Sequence, residues 1–317
     1  REDIVVVGVP LTRMTNEAYR DPRQRQLFKN IVGLGALAAL LDMDVPSIEK
    51  LLGELFRNRE KLISANIQAL HMGLDWVKQN LDDPIKLKVQ KADVVGDRIF
   101  IDGNSAAALG AVYGGATVCA WYPITPSSSL AEAFTNYCNR MRVDKETGKA
   151  KFAIVQAEDE LSSIGMVIGA AWNGARAFTA TSGPGISLMQ EFVGLAYFAE
   201  IPAVIFDVQR SGPSTGMPTR TQQTDILSCA YASHGDTKHV LLIPEDPYEC
   251  FEFGALAFDL ADRLQTPIFV MLDLEIGMNE RLTKPFVWDD SRKMDRGKVM
   301  TAEDLEAGKK FGRYLDV

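Results

Sequence analysis

From about residue 99 to 273 the chain alternates short, wholly apolar runs with longer stretches of helical periodicity, and few architectures accept that pattern. The apolar runs fall near 116–121, 152–156, 177–181, 203–208, 240–243 and 268–272, and the helical patterns near 105–114, 127–141, 160–175, 186–198, 221–232 and 247–264. Strands without polar alternation must be covered on both faces, so the pattern predicts an α/β fold built on a mainly parallel, doubly wound sheet. In such a sheet the carboxyl ends of all strands share one edge, where ligands bind. Several helices are rich in small residues, such as Ala106-Ala107-Ala108 and Gly169-Ala170-Ala171. They can approach another backbone closely, within the chain or across a subunit boundary.

The flanks read differently. Residues 1 to about 80 form a unit of their own, with a strand-like start at 4–7 and helical patterns at 23–43, 45–57 and 60–79. Gly33-Leu34-Gly35-Ala36-Leu37-Ala38 matches the G-x-G-x-x-A of dinucleotide-binding turns. No strand precedes it and Asn30, Ile31 and Val32 continue the helical period, so these glycines are read as permitting close helix packing. Residues 81–98, with Asp82-Asp83-Pro84, are polar and unpatterned and predict a surface linker. Residues 99–278 make the α/β domain, and the polar tail at 279–317 predicts a linker or arm toward a further domain. The abrupt start suggests a piece of something longer.

Charge and cysteine usage exclude several function classes. The net charge of −8 and the lack of a dense Lys/Arg stripe argue against nucleic acid or an anionic membrane as partner. No apolar run is long enough to span a bilayer and no signal-peptide pattern is seen, so a cytoplasmic location is expected. Cys119, Cys138, Cys229 and Cys250 are far apart with no C-x-x-C, which suits reduced thiols and neither an iron–sulfur cluster nor zinc. His71, His234 and His239 show no metal-ligand spacing either, so no metal site is expected in this chain.

Four strand ends carry residues that a plain turn does not require. The first is Trp121-Tyr122-Pro123-Ile124-Thr125-Pro126-Ser127-Ser128. Its prolines remove backbone donors and push the preceding residues toward extended conformations, so Thr125 presents a hydroxyl from a rigid loop; a proline turn with a serine cap explains the same residues. The second is Gln156-Ala157-Glu158-Asp159-Glu160. Favourable interaction with a helix N-terminus suffices for Glu158 and Asp159. Glu160, beside Leu161, Ile164 and a small-residue helix, is placed to share a proton with a ligand nitrogen. The third is Thr181-Ser182-Gly183-Pro184-Gly185, where backbone can come close to a ligand at a helix start; it is no nucleophile elbow. The fourth runs from Asp207 through Arg210 to Thr219. A guanidinium at a strand end, followed by a Gly/Pro/Ser/Thr loop, suits a ligand carboxylate, though an ion pair with a structural acid is the alternative. Ser127, Ser214 and Thr215 rank behind these, since caps and turn bonds explain them equally well.

Taken jointly, Y-P-I-T-P-S-S (122–128), A-E-D-E-L (157–161), T-A-T-S-G-P-G (179–185), D-V-Q-R-S-G-P-S-T-G-M-P-T (207–219) and Q-T-P-I (265–268) resemble, in family order, the α-type subunit of the 2-oxoacid:ferredoxin oxidoreductases, which are thiamine-diphosphate enzymes. The resemblance covers nearly the whole chain, with residues 1–80 similar to the end of the γ-type domain that some members fuse ahead of the α-type domain. It implies a pyrimidine-type thiamine-diphosphate-binding fold. In it Glu160 contacts the aminopyrimidine and acts in catalysis, and Tyr122, Pro123, Ile124, Ser182 and Gly183 belong to the cofactor site. Thr125 and Arg210 meet the substrate carboxylate, and Thr219 is a candidate for the same pocket.

The G-D-G segment that holds magnesium and diphosphate in such enzymes is missing, since Gly96-Asp97 is followed by Arg98. The resemblance therefore implies that a β-type partner supplies Mg2+, the diphosphate half of the site and a [4Fe–4S] cluster. Ferredoxin is then the electron acceptor, coenzyme A the acyl acceptor, and a dimer of αβ heterodimers the assembly. The V-Q-R-x-G-P-S-T-G-x-P-T form with a fused γ-type domain looks most like members acting on 2-oxoglutarate, with pyruvate and branched-chain 2-oxoacids still open. Two rival readings are a nucleotide-dependent dehydrogenase, suggested by the parallel sheet and Gly33-Leu34-Gly35, and a non-catalytic partner subunit.

Overall fold

The computed structural model describes residues 4–82, 85–92, 94–310 and 312, and the chain divides into two compact units, Arg1–Gly96 and Asp97–Val317. Asp83, Pro84 and Asp93 of the expected linker, and positions 311 and 313–317 of the expected arm, lie outside the described residues.

The first unit is helical: α1 (Leu11–Ala18), α2 (Pro22–Leu40), α3 (Val45–Leu55) and α4 (Glu60–Asn80). The start at 4–7 is not a strand, because no described segment of this unit offers it a pairing edge; Val7 and Val9 instead cover the cluster of Ala36, Leu40 and Val77. The G-x-G-x-x-A stretch lies in mid-helix, and its second glycine does allow two backbones to touch. A β-carbon at Gly35 would stand 1.8 Å from Leu70 O, and one at Gly73 would stand 1.9 Å from Val32 O. Leu81 and Ile85 pack on the same cluster and Val89 N donates to Leu41 O, so the polar stretch after α4 stays bound to the helices for much of its length.

The second unit contains β1 (Ile99–Ile101), α5 (Gly103–Tyr113), β2 (Val118–Trp121), α6 (Ser128–Met141), β3 (Ala153–Gln156), α7 (Glu160–Trp172), β4 (Ala177–Thr181), α8 (Gly183–Phe198), β5 (Ala203–Gln209), α9 (Ile226–Ala230), β6 (Val240–Leu242), α10 (Pro247–Leu264), β7 (Pro267–Asp273), α11 (Leu274–Met278), β8 (Arg281–Thr283) and α12 (Ala302–Glu306). Six strands form a sheet in the order β3-β2-β4-β5-β7-β6, every pair parallel. β4, β5 and β7 are the most deeply buried. One face packs on α5, α6 and α10, where Phe134, Phe178, Phe206 and Phe258 meet edge to face at centroid distances of 4.8, 5.4 and 6.1 Å. The other face packs on α7, α8 and α9. The doubly wound parallel sheet expected from the apolar runs is therefore the fold. The helical pattern at 221–232 yields only the five residues of α9, because residues before 226 are drawn into hydrogen bonds with the end of β5.

The polar tail is stitched to this unit for most of its described length. β8 pairs antiparallel with β1. Phe286 and Trp288 pack on Phe251, and Arg292 and Arg296 reach the buried Asp259 and Asp262 of α10. No helix among the described residues is long and apolar enough to cross a membrane.

Candidate active site

Because all six strands are parallel, Trp121, Gln156, Thr181, Gln209, Leu242 and Asp273 end at one edge of the sheet. The chain runs outward from β2 to β3 and then returns to the other side of β2 as β4, so the direction of winding reverses there. Such a reversal leaves a crevice at the carboxyl ends, where open α/β sheets bind ligands. The loops after β2 and β4 border it.

The loop after β2 is fixed from beneath. Ile124 O accepts hydrogen bonds from Ser127 N at 2.9 Å and Ser128 N at 3.2 Å, which closes the turn into α6. Asn104 of α5, fully buried, donates Nδ2 to Pro126 O at 2.9 Å and to Ser129 Oγ at 2.8 Å. The Thr125–Pro126 peptide is cis. Tyr122 and Ile124 are half-buried, while Pro123 and Thr125 are exposed. The Thr125 hydroxyl bonds to none of the described residues, whereas its carbonyl is held by Arg210.

Glu160 opens α7. Asp159 caps that helix by accepting from Ser162 N at 2.6 Å, and the Ser162 hydroxyl and this backbone N–H together hold its carboxyl below the usual carboxylate range. Glu158 and Asp159 face solvent, but Glu160 is only 6% exposed. Its stem runs over Gly185, where a β-carbon would lie 2.7 Å from Glu160 Cγ and 1.9 Å from Thr181 Oγ1. No described residue donates a hydrogen bond to the Glu160 carboxylate. Nearby, the Ser182 hydroxyl is fully buried and also without a partner. A buried hydroxyl is seldom left so, and Ser182 is free to meet a ligand.

Arg210 follows β5 directly and is 6% exposed. Nη1 donates to Thr125 O at 2.5 Å and Nη2 to Thr215 O at 2.8 Å, while buried Nε has no partner. The guanidinium thus clamps the loops after β2 and β5 together and keeps one donor in reserve. It opens on a cleft of about 390 Å3, lined by Gly183 and Ser187 of α8, by Ser211 to Ser214, and by Gln222, Thr224, Asp225 and Ser228. Thr219 is not part of this lining: it is exposed, and its Oγ1 accepts from Arg220.

Sequence reasoning passed over the acids at this site. Asp207, inside β5, and Asp225, before α9, are both buried, and burial holds both carboxyls above the usual carboxylate range. A signal existed for Asp207, an acid in the otherwise apolar run Ala203-Val204-Ile205-Phe206. None existed for Asp225. The four thiols are buried and free, and burial raises them; Cys138 is pushed up to about 11.

The family model described as "Pyruvate flavodoxin/ferredoxin oxidoreductase, thiamine diP-bdg" matches residues 109–311, which takes in the whole of this sheet edge. The chain belongs to that oxidoreductase family. A second model, "Pyruvate ferredoxin/flavodoxin oxidoreductase", matches residues 1–76. Among the family's curated members, the α subunit of 2-oxoacid:ferredoxin oxidoreductase 2 of Aeropyrum pernix is 38% identical over 278 residues, 84% of this chain and 43% of that protein. The 2-oxoglutarate synthase subunit KorA of Methanocaldococcus jannaschii is 45% identical over 184 residues, 58% of this chain and 48% of its own length. Among solved structures, the 2-oxoglutarate:ferredoxin oxidoreductase of Magnetococcus marinus, with 2-oxoglutarate, coenzyme A and succinyl-CoA bound, superposes with a TM-score of 0.70 at 30% identity, covering 90% of this chain and 49% of that one. The chain spans about half the length of the curated relatives it matches.

The family's cofactor fits part of this edge. An aminopyrimidine has ring nitrogens and an amino group that pair with a carboxylate and a hydroxyl; this edge presents Glu160, which no described residue bonds, and the buried, unpartnered Ser182 hydroxyl. A diphosphate needs a cation, and among the described residues no cluster of His, Cys, Asp or Glu could hold one.

Proposed function

We propose that this chain is the α-type part of a thiamine-diphosphate-dependent 2-oxoacid:ferredoxin oxidoreductase. It takes 2-oxoglutarate, coenzyme A and oxidised ferredoxin to succinyl-CoA, carbon dioxide and reduced ferredoxin, reversibly. The observation that carries this reading is the meeting at one sheet edge of a buried carboxylate with no donor, Glu160, and a buried guanidinium with a donor to spare, Arg210. Relatives named 2-oxoglutarate synthase, and a structural neighbour that holds 2-oxoglutarate and coenzyme A, support the choice of substrate.

Glu160 holds a proton against a ring nitrogen of the cofactor, with Tyr122, Pro123, Ile124, Ser182 and Gly183 around the ring. When bound, thiamine diphosphate supplies the carbon nucleophile and the electron sink that decarboxylation of a 2-oxoacid requires. Arg210 binds the substrate carboxylate, Thr125 adds a hydroxyl, and Thr219 joins them only if the loop carrying it folds inward. A β-type partner supplies Mg2+, the diphosphate contacts and a [4Fe–4S] cluster that passes electrons singly to ferredoxin. The assembly is a dimer of αβ heterodimers in the cytoplasm. Residues 1–80 close a γ-type domain, 81–98 link it to the α/β domain at 99–278, and 279–317 lead toward a further domain.

The test is to purify the complex and assay a panel of 2-oxoacids with ferredoxin or a viologen as acceptor, for the native chain and for Glu160→Gln. Turnover with 2-oxoglutarate should be preferred and should fall by about 10²- to 10⁴-fold in the variant, with the complex still assembled. Near-normal activity of Glu160→Gln would refute the assignment, and NAD-linked turnover would favour the dehydrogenase reading.

A further inference from the structure

Asn104 has no place in the function just described, yet its side chain is closely constrained. It is fully buried in the first turn of α5, the helix that Asp102 caps. Nδ2 donates to Pro126 O at 2.9 Å and to Ser129 Oγ at 2.8 Å, which uses both of its hydrogens. A carbonyl can only accept, so the amide nitrogen and not the oxygen must face Pro126. Oδ1 is buried with no described partner, against α11, where a β-carbon on Gly277 would stand 2.7 Å from it. A buried oxygen without a donor lowers stability, and an apolar side chain of the same size would avoid that loss. The reason for an amide here lies in what its nitrogen holds.

Three consecutive carbonyls of the loop after β2 are held in three different ways. Ile124 O accepts from Ser127 N and Ser128 N, Thr125 O from Arg210 Nη1, and Pro126 O from Asn104 Nδ2. The first tie is local to the turn. The other two come from residues 85 and 22 positions away in the chain, so they alone fix the loop against the rest of the sheet edge. They are not equivalent. Arg210 lines the cleft, and an anion arriving there competes for its N–H groups. Asn104 is fully buried, so no ligand contests its bond to Pro126 O.

We propose that Asn104 is a positioning residue for the substrate site: by holding Pro126 O it keeps the Thr125 hydroxyl in place for the carboxylate of the 2-oxoacid. The inference rests on the reading that Thr125 and Arg210 meet that carboxylate. Asn104 itself touches neither substrate nor cofactor. Without its amide, Pro126 O loses its donor, and the loop stays tied only by its own turn and by a guanidinium that must also serve the substrate. The loss falls on substrate binding, because the group displaced is one that holds the substrate.

The experiment measures KM and kcat for the 2-oxoacid that the complex turns over best, in the native complex, in Asn104→Leu, in Thr125→Val and in the double variant. Leucine keeps the size of asparagine without its donors, and valine keeps the shape of threonine without its hydroxyl. Each single variant should raise KM about tenfold, the usual worth of a hydrogen bond to a charged group, with kcat at saturation changed less than about threefold. In the double variant KM should rise no further than in Thr125→Val alone, because the hydroxyl that Asn104 places is already gone. Effects that multiply, to about a hundredfold, mark Asn104 as structural only and overturn the proposal, as does a native KM in Asn104→Leu. Should the leucine variant fail to fold, Asn104→Asp decides by the same cycle: it has the same shape, puts an acid where a helix start favours one, and loses the same donor. An unmoved KM in Thr125→Val, where Asn104 is intact, overturns the reading of the threonine and the proposal with it, and is told apart by that single variant.

Discussion

A β-carbon at position 185 would overlap Thr181 Oγ1 and press on the stem of Glu160, so this glycine and this glutamate depend on each other. Gly185→Ala is expected to move Glu160 off its place and lower kcat at least tenfold, since misplacement of a proton-transfer group by about 1 Å costs about 10²-fold. Thr181→Ala in the same chain relieves the closer clash and should restore part of the loss, a coupling that a double-mutant cycle measures. At Arg210, lysine keeps the charge but loses the fork that now holds Thr125 O and Thr215 O. Arg210→Lys is expected to raise KM for 2-oxoglutarate by about tenfold or more with a smaller effect on kcat, which steady-state kinetics would register. The raised carboxyls of Asp207 and Asp225 carry a stability consequence as well. Above the ordinary carboxylate pKa the unfolded chain has released protons that the folded chain keeps, so stability falls as pH rises until the folded pair ionises too. Thermal midpoints should therefore fall less steeply from acid to neutral pH in Asp207→Asn than in the native chain.

Among the elements, α2 and α4 show how little room a helix contact can leave. Their backbones meet at Gly35 and Gly73, where any side chain would penetrate a carbonyl of the opposing helix. Gly73→Ala gains a little helix propensity, but it should lower the stability of the first unit by about 3 kcal/mol or more through overpacking, read as a loss of thermal midpoint. Gly35 read in isolation with Gly33 spells a dinucleotide fingerprint; the unbroken helical period around the two is the better guide. α1 is not legible in the sequence because only Leu11 and Met14 of its eight residues pack on the core, one turn of apolar spacing that is too brief to stand out. The long pattern at 221–232 was overread, since Thr224 and Asp225 spend their polar groups on the end of β5 rather than on a helix.

At the scale of the second unit, one buried arginine secures the end of the sheet away from the cleft. Arg176 meets Asp259 at 2.8 Å and Asp262 at 2.9 Å, and it also donates to Gly114 O and Asp295 O. Arg292 and Arg296 join the same two acids from the tail. Arg176→Met would leave Asp259 and Asp262 only the tail arginines, Arg292 and Arg296, and should cost about 3 kcal/mol. It should also loosen 292–299, so that limited proteolysis cuts there first. The sequence by itself determined the parallel sheet and the residues that stand at its carboxyl edge, because apolar runs and strand-end motifs are local in the chain. Only the tertiary structure decided that β2 and β4 are neighbours around a crevice, that Arg210 grips Thr125 by its carbonyl, and that Thr219 stays outside the cleft. Those are contacts between segments tens of residues apart. They are set by how helices and strands fill space together, which no short stretch of sequence encodes.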